Sequence, residues 1–273
     1  MNIDSIQILR LLLYFIIYSF FGWVLESIFK SILQRKPINS GFLYGPFCPI
    51  YGFGAIILLL FLDIFKDNII LLFVAGFIVL SVWEYIVGVI LEKKFNTKYW
   101  DYSENFLNIK GRVCLMNSFF WGVLGVLFTI YIHPFIEKYI VYLNKEGLIY
   151  INVVLLIAII IDYIITTIKV KSLDITVEKI KDLGEIIKDK LKELKNTKED
   201  AIEKIKDIEN IIEELKLKQE VLKLKIYKRA RRLKKAFPTM KSENITLVLN
   251  QKIDFKALKE KIKDKVNKRN KEI

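Results

Sequence analysis

Five apolar runs, each close to the length needed to cross a bilayer, constrain this chain more than any motif in it. A hydrocarbon core about 30 Å thick takes roughly 20 mostly apolar residues in a helix. Such runs lie at about Ile8–Phe29, Pro49–Phe65, Ile69–Leu91, Val113–Ile132 and Leu148–Ile168. The first is too long for a signal-peptide core, and Glu26, Lys30 and Arg35 stand where a small-residue cleavage site would be, so it reads as a retained span. The second is the shortest, and its start is crowded with proline and glycine. It reads as a full span or as a partly irregular, re-entrant one, which lipid tolerates only under a cover of protein.

Composition sharpens the picture because apolar and charged residues are separated. The chain is 53% hydrophobic and 27% charged, yet from Lys169 onward it is dense in Lys, Glu, Asp, Ile and Leu. The expected fold is all-α, a polytopic membrane bundle of about five spans (residues 1–168) with a long coiled-coil-like helical tail (169–273). A net charge of +13 suits a chain whose basic residues lie beside anionic lipid, and the spans argue against nucleic acid as the partner.

Lys and Arg alternate between successive loops. Lys30, Arg35 and Lys36 follow the first span, and Lys93, Lys94, Lys98, Lys110 and Arg112 follow the third. The loop after the second holds Lys66 alone, and the loop after the fourth Lys138 and Lys145. Basic loops stay inside, which predicts an outer N-terminus and a cytoplasmic tail in a cell membrane.

Ionisable groups in apolar spans are costly and are candidates for function. Glu26, Glu84 and Asp162 are expected in one layer near the inner interface, with Arg112 as a plausible partner and Asn117 deeper on the fourth span. Structural hydrogen bonding and a site for a cation, a proton or a basic head group are both open readings; for Asp162 the structural one leads. Trp23, Trp83 and Trp121 read first as interface anchors. Gly22 shares a helical face with Glu26 and permits close approach of a neighbouring helix.

Before the second span, Gly41, Gly45, Pro46, Cys48, Pro49, Tyr51 and Gly52 form a dense signature loop, more specialised than a linker requires. Residues Trp100–Cys114 are similarly loaded. The two cysteines, Cys48 and Cys114, give no disulfide framework, and without neighbouring histidines no metal site is expected. The lone histidine, followed by Pro134, reads as the end of the fourth span. No cofactor and no catalytic constellation is expected.

In the tail an apolar heptad runs through Leu173, Ile180, Ile187, Leu194, Ala201, Ile208, Leu215 and Leu222, with a partner position interrupted at Gly184, Lys198 and Gln219. A coiled coil and a helix folded back on another segment are the two readings. The long helix turns basic and closes near Pro238, at about residue 237. A short amphipathic helix follows at about 254–270, with Phe255, Leu258, Ile262 and Val266 on one side.

Three segments together resemble a known family: Phe20–Glu26, the stretch from Gly41 through Pro46-Phe-Cys-Pro49 to Gly54, and Asn108–Cys114 with Trp121-Gly122. They are similar to the bacterial "putative ABC-transporter type IV" (CmpB-like) membrane proteins, over roughly Phe15–Gly125. Ala236–Ser242 is also familiar from longer members. The resemblance implies a permease-like subunit moving a small solute, and it carries over no substrate and no catalytic residues. The chain lacks a Gly-x-x-x-x-Gly-Lys-Ser/Thr loop, so an ATPase subunit would be a separate chain, and five spans imply a homo- or hetero-oligomer in membrane lipid. The alternative is a non-transporting scaffold or regulator that recruits partners through its tail.

Overall fold

In hydrocarbon a backbone must pair its own N–H and C=O groups, so apolar runs become helices. The computed structural model describes residues 4–196 and 202–250 and is built accordingly. Its helices are α1 (Ser5–Gln34), α2 (Pro49–Phe61), α3 (Ile69–Phe95), α4 (Leu115–Leu127), α5 (His133–Ile140), α6 (Lys145–Asn196), α7 (Ile202–Ala236) and α8 (Glu243–Leu249). A 3₁₀ turn at Asp63–Phe65 follows α2, and a π turn at Phe128–Ile132 joins α4 to α5. Among the described residues there is no strand, only isolated bridges at Lys98–Lys241 and Ile109–Val113.

Local chemistry sets the ends. Asn68 accepts hydrogen bonds from the N–H groups of Ile70 and Leu71, both at 3.1 Å, and so opens α3. Pro49 begins α2, where a missing N–H costs nothing. Arg35 and Asn96 close α1 and α3 in the left-handed conformation.

Two expectations are corrected. Among the described residues four helical stretches, against the five runs expected, are long and apolar enough to cross a membrane: Ser5–Gln34, Ile69–Phe95, Leu115–Ile140 and Lys145–Asn196. The second run is a helix of 13 residues, about 20 Å at 1.5 Å per residue, because the prolines and glycines before it hold the backbone out of helix. Even so, Leu58 and Leu62 of α2 lie in one cluster with Leu72, Ile140 and Leu148, so α2 carries the chain back between α1 and α3. The second correction concerns His133-Pro134, which do not end the fourth span. The helix continues to Ile140, because the π turn absorbs the register change that a proline ring demands.

The contacts divide the chain into two units. The first holds residues up to Thr167 together with Lys234–Ser242. In it α1 packs along α2 and α3 along α4. Glycine allows the closest approaches: a Cβ on Gly22 would fall 2.3 Å from the Tyr51 ring, and one on Gly125 3.2 Å from the Gly76 Cα. Large apolar side chains such as Phe29, Ile70, Phe120, Ile157 and Ile161 face outward, an arrangement suited to lipid and not to water.

The second unit holds Ile168–Leu233 and the residues from Glu243 on. The heptad seam is carried by two helices that lie antiparallel, not by one continuous helix. Ser172 meets Arg229 at 2.6 Å, the Ile180 carbonyl meets the Gln219 amide at 2.9 Å, and Ile187 packs with Ile208 and Ile212. Two of the seam's interruptions face each other: a Cβ on Gly184 would lie 3.3 Å from the Gln219 Nε2. On α8, Ile245 and Val248 are buried, and Asn244 donates to Asp174 at 2.9 Å. Ala201 and the amphipathic helix expected at about 254–270 lie outside the described residues.

Candidate functional site

The three span carboxylates meet different partners. Glu26, on α1, pairs with Lys30 one turn later at 2.7 Å, and the Cys48 thiol donates to its other oxygen at 3.5 Å. Asp162, on α6, accepts the backbone N–H groups of Tyr44 at 3.2 Å and Gly45 at 2.7 Å, and the Thr166 hydroxyl at 3.2 Å. It therefore anchors the signature loop. Arg112 turns to Glu92, which accepts from Nε at 3.0 Å and Nη2 at 2.8 Å, and lies over the Tyr85 ring.

Glu84, on α3, is the most enclosed of the three, 5% exposed. The Trp121 indole donates to Oε2 at 2.8 Å, and the Tyr102 phenol to Oε1 at 3.3 Å. The Asn117 side chain is a third hydrogen-bond partner. All three donors are neutral, and among the described residues no Lys, Arg or His forms an ion pair with Glu84. Tyr102 comes from the loop between α3 and α4, where burial, and after it the Glu84 charge, push its hydroxyl well above the ordinary phenol range and keep it a donor.

This carboxylate lines a half-open cavity of about 90 Å³ framed by α1, α2, α3 and α4. A water molecule needs only about 10–15 Å³, so the space is several times larger. Its walls are aromatic and aliphatic: Tyr18, Tyr51, Trp83, Trp121 and Leu58 among others. The signature loop builds one side. Gly41 has φ +85°, and a Cβ on it would strike the Cys48 sulfur at 2.4 Å. The Cys48 N–H bonds to the Ser19 carbonyl at 2.9 Å. Gly52 abuts Phe15 and Ser19 of α1, and Tyr51 lies against Gly22. Pro46 and Pro49 flank these contacts and lead into α2. At the far end of the cavity His133 hydrogen-bonds to Tyr18 at 2.9 Å.

A second feature joins the two loops near the ends of α1 and α3. Residues 234–242 lie across them as a clasp. Lys98 and Lys241 exchange two backbone hydrogen bonds of 3.0 and 2.9 Å. Phe237 packs edge-on to Tyr99, and Lys30 binds the Ala236 carbonyl while lying over the Phe237 ring. Asp101 is the hub, paired with Lys98 at 2.6 Å and with Lys241, and accepting from Ser103 at 2.6 Å. Burial pushes its carboxyl up, but the hydrogen bonds from Lys241, Lys98 and Ser103 outweigh burial and hold it well below the usual carboxylate range.

The sequence profile of the family described as "Putative ABC-transporter type IV" matches residues 13–167, more than half of the chain. The chain belongs to this family. No curated protein and no solved structure matches it. The family match covers the whole Glu84 cavity and the signature loop, whereas the clasp lies outside it.

Sequence reasoning singled out Glu84 and Asn117 but not the roles of Trp121 and Tyr102, which hydrogen-bond to Glu84, or of Tyr51, which lines the same cavity. Each tryptophan expected to anchor at the interface spends its N–H on protein: Trp23 on Asn39 at 2.7 Å, Trp83 on the Ile50 carbonyl at 2.9 Å, and Trp121 on Glu84. The available signal was depth, since an indole N–H well inside hydrocarbon must find an acceptor. Lys30 and Glu92 were missed as ion-pair partners because a loop-side charge is as easily read as an orientation marker. Among the described residues no group of His, Cys, Asp and Glu could hold a metal ion.

Proposed function

We propose that the protein is a permease-like subunit that moves a small solute by way of the Glu84 cavity. The observation carrying this reading is a single buried carboxylate, held by neutral donors, in an otherwise apolar space between membrane helices. Groups this costly in a span are kept where something passes or binds. The family description supports a role in transport. Energy would come from a separate ATPase subunit in a hetero-oligomer, since the sequence has no phosphate-cradling loop. The basic loops support an outer N-terminus and a cytoplasmic tail in a bacterial cell membrane.

Solute profiling of cells tests this. A deletion strain and a strain carrying Glu84→Gln should lose accumulation or export of the same compound, with the variant present in the membrane at wild-type level. Identical solute profiles in wild type, deletion and variant would sink the reading. A scaffold role is the second reading, supported by Ile175, Ile186 and Ile211, which remain exposed on the tail helices and are suited to a partner. It expects a chain truncated after Lys169 to lose its partners while the solute profile stays normal.

A further inference from the structure

We propose that the Glu84 cavity binds a monovalent organic cation of the alkylated ammonium class, an assignment that rests on the cavity being the solute site of the permease reading. Charge comes first. Glu84 is 5% exposed and has only neutral partners. An ionised carboxylate so placed gains most from a ligand that brings the missing positive charge. An anion would be repelled, and a neutral solute would leave the carboxylate uncompensated.

The walls then select among cations. A divalent metal requires six or more oxygen ligands, or a set of His and Cys. The cavity offers one carboxylate among aromatic and aliphatic carbon, and the described residues hold no metal-ligating cluster. An alkali ion or a primary ammonium would keep its strong demand for hydrogen-bond acceptors, which these walls do not meet. An alkylated ammonium spreads its charge over methyl or methylene groups and is weakly hydrated, so apolar surroundings cost it little. Aromatic faces attract such a cation directly through the ring quadrupole, and Tyr18, Tyr51, Trp83 and Trp121 supply four rings to the lining of the cavity that holds this carboxylate.

The site is also built rather than incidental. Trp121 and Tyr102 hold the two Glu84 oxygens, Trp83 is fixed by the Ile50 carbonyl, and Tyr51 is locked against Gly22, where no larger residue fits. Such pre-fixed rings lose little freedom when a ligand enters.

The full-length protein in lipid nanodiscs would be titrated with tetramethylammonium, a quaternary cation small enough for a cavity of about 90 Å³, and with its uncharged carbon isostere, neopentane. Calorimetry and tryptophan fluorescence give the two binding readouts. Saturable binding of the cation is expected, weakened roughly tenfold or more by Glu84→Gln, with the isostere's affinity unchanged by that substitution. A wild-type measurement stands beside the variant in case Glu84→Gln does not fold. Dicyclohexylcarbodiimide should label Glu84, and the cation but not the isostere should protect it. Absence of saturable cation binding, equal affinity in Glu84→Gln, or labelling that the cation does not slow would each overturn the assignment. Accumulation of the radiolabelled cation by cells, compared among wild type, deletion and Glu84→Gln strains in which any ATPase partner is present, separates site from transport. Binding with equal accumulation in all three keeps the site and defeats the permease reading, whereas no binding defeats the site whatever else the protein moves.

Discussion

The two units of this chain use the same aliphatic residues in opposite senses. In the first unit Ile157, Ile161 and Phe120 point outward, while Glu84, Asn152 and Ser19 are buried. In the second, Val177, Ile180, Ile187 and Ile212 point inward and the lysines and glutamates face out. Helix formation is common to both, so the difference lies in the solvent each helix meets. Water drives the tail's apolar seam together, whereas hydrocarbon is indifferent to exposed leucine and isoleucine and instead penalises unpaired polar groups. The first unit accordingly reads its specificity from hydrogen bonds and glycine contacts, and the second from apolar burial.

The largest expected effect attacks this contrast at a matched pair of residues. Ile157 and Ile175 are 52% and 54% exposed, one in each unit. Changing Ile157→Lys places a charge in hydrocarbon and should cost about 2.5–3.5 kcal/mol of insertion free energy, read by membrane-integration assays. Ile175→Lys should shift tail stability by no more than about 0.5 kcal/mol. Equal effects at the two positions would mean that both units face the same solvent.

A smaller effect separates the two kinds of glycine. Gly22→Ala drives a methyl into the Tyr51 ring and should cost about 1–3 kcal/mol by overpacking, seen as a lower melting temperature in detergent. Gly184→Ala meets only the end of the Gln219 side chain, at 3.3 Å. It should stabilise the tail by about 0.5–1 kcal/mol through helix propensity. If Gly184→Ala destabilises as much as Gly22→Ala, the tail is packed as tightly as the membrane helices.

The smallest concerns pH. Asp101 is depressed in the folded chain, so its contribution is complete above the ordinary aspartate value of about 3.9 and is lost only as pH falls through the lower folded value. The protection of residues 234–242 against hydrogen exchange, taken relative to the intrinsic rate at each pH, should therefore be flat from neutral to mildly acidic pH and fall only in strong acid. Asp101→Asn should lower protection already at neutral pH. A loss of protection centred near pH 6 would indicate that another group holds the clasp.

Much of this architecture was legible in the residues. Uninterrupted apolar runs dictated α1, α3 and the membrane part of α6, and the close contact of Gly22 with a neighbouring helix followed from its place beside Glu26. What escaped depended on chain folding at a distance. The length of α2 was set by how far proline and glycine kept the backbone irregular. The continuation past Pro134 depended on a π turn that no composition rule marks. The shared layer of acids resolved into three different tasks because partners brought in by folding, Trp121 for Glu84 and Gly45 for Asp162, decide what a carboxylate does. The clasp was visible only as a familiar string, since Asp101 and Lys241 are far apart in sequence and become neighbours only when the chain returns.

That return alters what a break in the chain would do. Residues 168–233 leave the first unit and the polypeptide re-enters it at 234–242, so the tail hairpin is an insertion fastened at both roots and not a free appendage. A protease that cut between α6 and α7 would yield two pieces that stay together, the downstream one still moored by Phe237 and Lys241.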